Sequence, residues 1–155
     1  MPSEVSLMFG GNIGDTASLF ETACGKLERA GFVLLKKSSV FITPPVDCVP
    51  GTPDFLNQAV LGCWQGSPRE LLLLTQRLER ESGRPREHSS AEARTLDIDI
   101  ITFGELVLEE PDLILPHPRA QQRLFVLEPL GEIAPELRFP DSGKSVSQLL
   151  TELKK

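Results

Sequence analysis

The sequence predicts an α/β (α+β) fold in which a mostly antiparallel sheet is flanked by helices. Three observations carry that expectation. Short runs rich in Val, Ile, Leu and Phe alternate with segments whose apolar residues recur at helical spacing. Their order is strand, helix, strand, strand, helix, strand, strand and then helices, a pattern that suits helices packed on an antiparallel sheet. Strong stop and start signals separate them, among them Gly31, Pro44-Pro45 and Ser67-Pro68.

Taken in order, residues 4–9 read as a first strand that ends at Gly10-Gly11-Asn12-Ile13-Gly14-Asp15. Asp15 is a good N-cap for the helix that follows. Leu19, Ala23, Leu27 and Ala30 keep its period, and Gly31 suits the position just past its end. Residues 32–43 read as one strand, halted by Pro44-Pro45 because proline donates no ladder hydrogen bond. Residues 44–54 hold four prolines and a glycine and read as a stiff loop. A strand over 55–64 follows, with Phe55, Asn57, Ala59 and Leu61 on one face. Ser67-Pro68-Arg69-Glu70 combines an N-cap serine, a proline at N1 and a glutamate at N3, a capping box worth about 1 kcal/mol. Its helix runs through Leu71, Leu74 and Leu78 to near Gly83. The polar, aperiodic segment 84–94 is expected to be a mobile loop. Residues 95–103 form the most clearly patterned strand, Gly104-Glu105 a turn and residues 106–108 a short strand. A short helix is expected over 119–130, and Ser145 caps a final one.

The chain of 155 residues fits one domain spanning 1–155, large enough to bury a core without staples. Its net charge of −6 would repel nucleic acid and anionic membranes, so no partner of either kind is expected, and a monomer is. The N-terminus lacks the basic start and apolar run of a secretory signal, which points to the cytoplasm. Cys24, Cys48 and Cys63 are an odd, widely spaced set that argues against a disulfide framework or zinc site.

Strand side chains alternate, so Asp97 and Asp99 point to one face while Leu96, Ile98 and Ile100 point to the other. Two carboxylates about 6 to 7 Å apart repel each other unless solvated or bridged by a cation. Mg²⁺ takes oxygen ligands, commonly one or two carboxylates plus phosphates and water. An acidic, solvent-facing strand edge is the alternative. Arg84, Arg86, Arg94, Arg119 and Arg123 surround the pair; the arginine fork suits phosphate, although interleaved glutamates also fit a solvated mixed-charge surface. His117 stands between two prolines, either structural or poised for a ligand. The glycine turn at 10–14 lacks the Lys-Ser/Thr ending of a P-loop and reads as a tight strand-to-helix connection. Phe55, Asn57 and Phe125 could clamp a flat heterocycle, or the phenylalanines could be plain core.

The chain resembles the 6-hydroxymethyl-7,8-dihydropterin pyrophosphokinase family. The resemblance rests on Phe9-Gly10-Gly11-Asn12-Ile13-Gly14-Asp15, Thr43-Pro44-Pro45, Asp54-Phe55-Leu56-Asn57, Gln76-Arg77-Leu78-Glu79 and Gly83-Arg84. Arg94-Thr95-Leu96-Asp97-Ile98-Asp99-Ile100 is the most specific segment. Leu115-Pro116-His117, Arg123-Leu124-Phe125 and Glu132-Ile133-Ala134-Pro135-Glu136-Leu137 complete a set that falls in family order.

The resemblance implies a ferredoxin-like fold, two Mg²⁺ ions, ATP as co-substrate and pyrophosphoryl transfer to the pterin alcohol. It implies Asp97 and Asp99 as metal ligands, with Arg84 and Arg94 beside them in catalysis. It implies ATP contacts at Gln76, Glu79, Arg84, Arg86, Arg94, Ile100, His117 and Arg123, and pterin contacts at Thr43, Pro44, Pro45, Val46, Phe55, Asn57 and Phe125. The chain departs from the family pattern at Ala91-Glu92-Ala93, where Trp-Gly-Pro is common, at Glu87, often basic, and at Pro118, often an aromatic hydroxyl. Three rivals stay open on the residues alone: another magnesium phosphotransferase, a ligand-binding module without turnover, and a protein-interaction domain.

Overall fold

The computed structural model describes residues 2–12, 16–43, 54–82 and 96–154. Its centre is β1 (Ser3–Gly11), paired antiparallel on one side with β4 (Phe55–Trp64) and on the other with β5 (Asp97–Phe103). β2 (Val33–Lys37) and β3 (Phe41–Thr43) both pair antiparallel with β4, giving a five-stranded sheet in the order β2-β4-β1-β5 with β3 alongside β4. With β2 and β3 read as one interrupted strand, the chain order is β-α-β-β-α-β, the ferredoxin-like pattern.

Both faces of the sheet are covered, which is why β1 is apolar on both. Val5, Leu7 and Phe9 pack beneath α1 (Thr16–Arg29) and α2 (Pro68–Glu81). Met8, with Ala59 and Ile101, packs beneath α3 (Leu124–Ile133) and α4 (Val146–Leu153). α1 buries Thr16, Phe20, Ala23, Cys24 and Leu27, and Gly31 ends it with φ at 106°. Ala30, expected on the buried stripe, is exposed just past the last helical residue. The expected cap at Asp15 lies outside the described residues. Both serine capping boxes form: Ser67 with Glu70, and Ser145 with Gln148.

Three expectations are corrected. The single strand over 32–43 is two strands, because the Ser38 hydroxyl accepts the Ala59 N–H at 2.9 Å and so takes the place of a ladder carbonyl. The short strand at 106–108 starts later. Leu106 and Val107 are exposed, and β6 (Leu108–Glu110) pairs with an unforeseen β7 (Leu113–Leu115) across a turn at Pro111-Asp112. The helix over 119–130 is a 3₁₀ turn, Ala120–Gln122, and then α3, split where Arg123 is extended at φ −119° and ψ 113°. The Pro-rich segment 44–53 and the segment 83–95, which holds the whole of the expected mobile loop, lie outside the described residues.

Candidate functional site

Strand register assembles the site. Across the sheet, Asp97 of β5 stands opposite Gly10 of β1, and Gly10 stands opposite Asn57 of β4. One step along, Asp99 stands opposite Met8. Residues opposite one another on neighbouring strands share a face, so both carboxylates, the amide and the bare Gly10 look the same way. That face is the one covered by α3, and α3 stops short of the strand ends, leaving a hollow of about 440 Å³. Phe55 and Asn57 stand on its β4 wall and Asp97 and Asp99 on its β5 wall, while Arg123, Phe125 and Val126 reach in from the start of α3.

The two phenylalanines are not plain core: Phe125 is 41% exposed and Phe55 is half-buried. The Arg123 guanidinium lies 5.3 Å from the Phe125 ring centroid, a cation–π contact that orients both. Asn57 is buried and its Nδ2 donates to Thr43 Oγ1 at 3.2 Å, which turns its carbonyl oxygen toward the Gly10 side. An aromatic pair, an amide oxygen and a glycine floor make a slot for a flat, hydrogen-bonding ring.

A second hollow of about 290 Å³ lies across β5 from the first, between Leu72 of α2, Ile100, the β6–β7 turn and His117. Asp99 borders both hollows. His117 is pinned by its own N–H, which donates to the Ile101 carbonyl at 2.8 Å. Its Nδ1 accepts the Arg119 N–H at 3.3 Å, so the neutral ring carries its proton on Nε2. Arg69 forks onto both carboxylate oxygens of Asp112 at 2.8 and 2.9 Å and also binds Glu110, tying the start of α2 to the hairpin that walls this cleft.

Electrostatics single out Asp99. The residue itself is exposed, yet partial loss of water around its carboxyl pushes it up from the ordinary value, and the Asp97 charge adds to the rise, while His117 and Arg123 oppose it. Burial pushes His117 down, aided by Arg123 and Arg119 and opposed by Asp99, so the ring is neutral at pH 7. Mutual repulsion of two carboxylates on one strand face is relieved by a divalent cation, and an all-oxygen pair fits Mg²⁺. Among the described residues no group of three or more His, Cys, Asp or Glu side chains could hold a metal ion. Burial raises the Cys24 thiol to about 11, which leaves it an inert core group.

Of the residues expected in the site, Thr43, Phe55, Asn57, Asp97, Asp99, Arg123 and Phe125 line the first hollow, and Ile100 and His117 line the second. Gln76 and Glu79 lie on α2 and line neither; Glu79 binds the β5 backbone instead. Pro44, Pro45, Val46, Arg84, Arg86 and Arg94 lie outside the described residues. The alternation of β1 places Met8 and Gly10 on one face, a signal that could have marked both as pocket floor.

A family model, 7,8-dihydro-6-hydroxymethylpterin-pyrophosphokinase (HPPK), matches residues 6–135. The 2-amino-4-hydroxy-6-hydroxymethyldihydropteridine pyrophosphokinase of Bacillus subtilis is 41% identical over 143 residues, covering 92% of this chain and 84% of that protein. The protein of the same name from Synechocystis is 38% identical, covering 93% and 73%. Among solved structures, Plasmodium falciparum HPPK-DHPS with pteroate superposes with a TM-score of 0.74 at 13% identity. That match covers 98% of this chain and 42% of the other, so the chain spans less than half the solved protein.

Proposed function

This chain belongs to the 7,8-dihydro-6-hydroxymethylpterin-pyrophosphokinase family, and from that premise we propose that it transfers pyrophosphate from ATP to 6-hydroxymethyl-7,8-dihydropterin, a step of folate biosynthesis. The pterin hydroxymethyl oxygen forms a bond to the β-phosphorus and gives up its proton to solvent, the bond from that phosphorus to the α–β bridging oxygen breaks, and AMP leaves with that oxygen. One observation supports the reading most: a ring-sized slot of Phe55, Asn57 and Phe125 shares a wall with Asp97 and Asp99.

In this reading the pterin ring lies between Phe55 and Phe125 with Asn57 at its edge, flanked by Thr43 and the 44–46 segment. The nucleotide lies across β5, past Ile100 and His117, and its phosphates meet the pterin alcohol beside Asp99. Asp97 and Asp99 would hold two Mg²⁺ ions, which would supply charge neutralisation on the transferred phosphates. Arg123 and the neutral, Nε2-protonated His117 offer donors to phosphate oxygens from the described side. Arg84, Arg86 and Arg94 add guanidinium forks from outside the described residues, and Gln76 completes the nucleotide side. The reading takes residues 1–155 as one domain acting as a cytoplasmic monomer. Among the described residues no helix is long and apolar enough to cross a membrane.

Incubation with Mg-ATP and 6-hydroxymethyl-7,8-dihydropterin should yield AMP in equal amount to pterin pyrophosphate. Asp97→Ala should lower turnover by about 10³-fold or more with the fold retained, since several kcal/mol of charge stabilisation goes with the metal. AMP formation near wild type in that variant would remove the metal assignment, and no pterin-dependent AMP from the wild-type chain would remove the function.

A further inference from the structure

Glu79 sits in the last turns of α2, and its Oε2 accepts the Ile98 N–H at 2.8 Å. Among the described strands, β5 stands at the edge of the sheet, beside β1. Along an antiparallel edge strand, alternate N–H groups point toward the neighbour and away from it. Ile98 is one of those that point away, and its N–H belongs to the planar peptide that joins Asp97 to Ile98. Whatever grips that peptide limits the torsions from which the Asp97 and Asp99 side chains project.

We propose that Glu79 is a positioning residue for the reaction: through the Ile98 peptide it holds Asp97 and Asp99 in the relative placement that binds the divalent cation, and it touches neither nucleotide nor pterin. The inference rests on the metal reading of the two aspartates. The family resemblance assigns Glu79 to ATP, but a carboxylate is a poor neighbour for a triphosphate. The wall that α2 gives to the second hollow is Leu72, seven residues before Glu79 and so about 10 Å away along the helix. The bond from a neutral N–H to a carboxylate is short and strong, which suits the task of fixing a strand edge. Groups that orient metal ligands in this way typically matter about 10- to 100-fold in metal affinity.

The test compares Glu79→Gln, which keeps an acceptor oxygen, with Glu79→Ala, which does not. Mn²⁺ binding is read by electron paramagnetic resonance with a non-hydrolysable ATP analogue, amide exchange by NMR, and kcat and KM from AMP formation. Glu79→Ala should weaken Mn²⁺ binding by about tenfold or more and lower kcat in step, with KM for ATP within about threefold of wild type. The Ile98 amide should exchange faster while that of Val60, in the sheet interior, keeps its protection. Glu79→Gln should restore Mn²⁺ affinity and Ile98 protection to within about threefold of wild type. Two results would overturn the proposal: equal impairment of both variants, or a raised KM for ATP with Mn²⁺ binding unchanged, which is the mark of a nucleotide contact. Wild-type protein that binds no Mn²⁺ would sink the metal reading and this inference together. An active, Mn²⁺-binding wild type with an unaltered Glu79→Ala would sink this inference alone.

Discussion

The two hollows that meet at Asp99 are made of different material. On the α3 side, the floor and two walls are strand residues held by ladder hydrogen bonds: Met8 and Gly10 on β1, Phe55 and Asn57 on β4, Asp97 on β5. On the other side, β5 again contributes Ile98 and Ile100, but the remaining walls are a short hairpin, a proline-flanked histidine and one helix residue. Shape on the first side is set by sheet register, which cannot slip by one residue without turning every side chain over. Shape on the second side depends on how the β6–β7 hairpin is tied to its neighbours, by Leu113 and Leu115 in the core and by Arg69 at the surface. A preformed slot suits a rigid ring, and a wall held by exposed ion pairs suits a ligand anchored mostly by its charge.

The largest effect that would sharpen this contrast is on the ring side. Phe125→Ala removes one face of the slot, and stacking on an aromatic ring is worth about 1–3 kcal/mol per heterocycle. KM for the pterin should rise about 10- to 100-fold, with KM for ATP within about twofold. Steady-state kinetics with each substrate varied in turn reads both numbers. A matching rise in KM for ATP would erase the division between the two hollows.

The same contrast separates what the sequence made legible from what it did not. Period-two alternation put Asp97 and Asp99 on one face and Ile98 and Ile100 on the other, and the structure agrees because that pattern is local. Phe55 and Asn57 were readable for the same reason. Cross-strand register is not local, so although the alternation of β1 puts Met8 and Gly10 on one face, Met8 goes unmarked in the sequence and Gly10 reads only as part of a tight turn. The hairpin was hidden by composition. Leu106 and Val107 have the branched and apolar character of a strand, yet they lie exposed in the turn region, and the paired residues after them include Glu109 and Glu110. The two-serine break between β2 and β3 is a case where a side chain imitates a backbone carbonyl, which propensity does not register. Arg123 was marked as a phosphate group, but not as the extended residue that splits a helix and aims Phe125 into the slot.

On the nucleotide side a smaller effect is expected. Arg69 and its two acidic partners are exposed, so the pairing is screened and contributes little to overall stability. Its consequence is local. Arg69→Ala frees the hairpin from α2, and KM for ATP should rise a few-fold while KM for the pterin stays level. The effect should shrink as salt is raised in the wild type, because screening loosens the same tie. No change in KM for ATP at low salt would mean that the hairpin holds its place without Arg69.

The smallest effect concerns Asp99, where the two hollows join. Its folded-state carboxyl is raised, so the folded protein keeps that proton to higher pH than the unfolded chain does. Stability from this group is therefore fully present below the ordinary aspartate range and is lost as pH rises through the folded value. His117 runs the other way: its folded value is depressed, so its contribution is held above the ordinary histidine range and lost as pH falls through it. At pH 7 the ionised Asp99 is thus a small cost to the ligand-free protein, since attraction to Arg123 does not offset partial loss of water and repulsion from Asp97. Asp99→Asn removes the charge at nearly constant shape. Its melting temperature without ligands should exceed that of wild type at pH 7, and the gap should close as pH falls through the raised folded value, where the wild-type carboxyl takes up its proton. Adding Mg²⁺ with a non-hydrolysable ATP analogue should reverse the order, because only the wild type gains binding free energy from the shared carboxylate. A variant less stable than wild type at pH 7 without ligands would show that Asp99 is held by its neighbours rather than strained against them, and the join between the hollows would then be a structural ion pair.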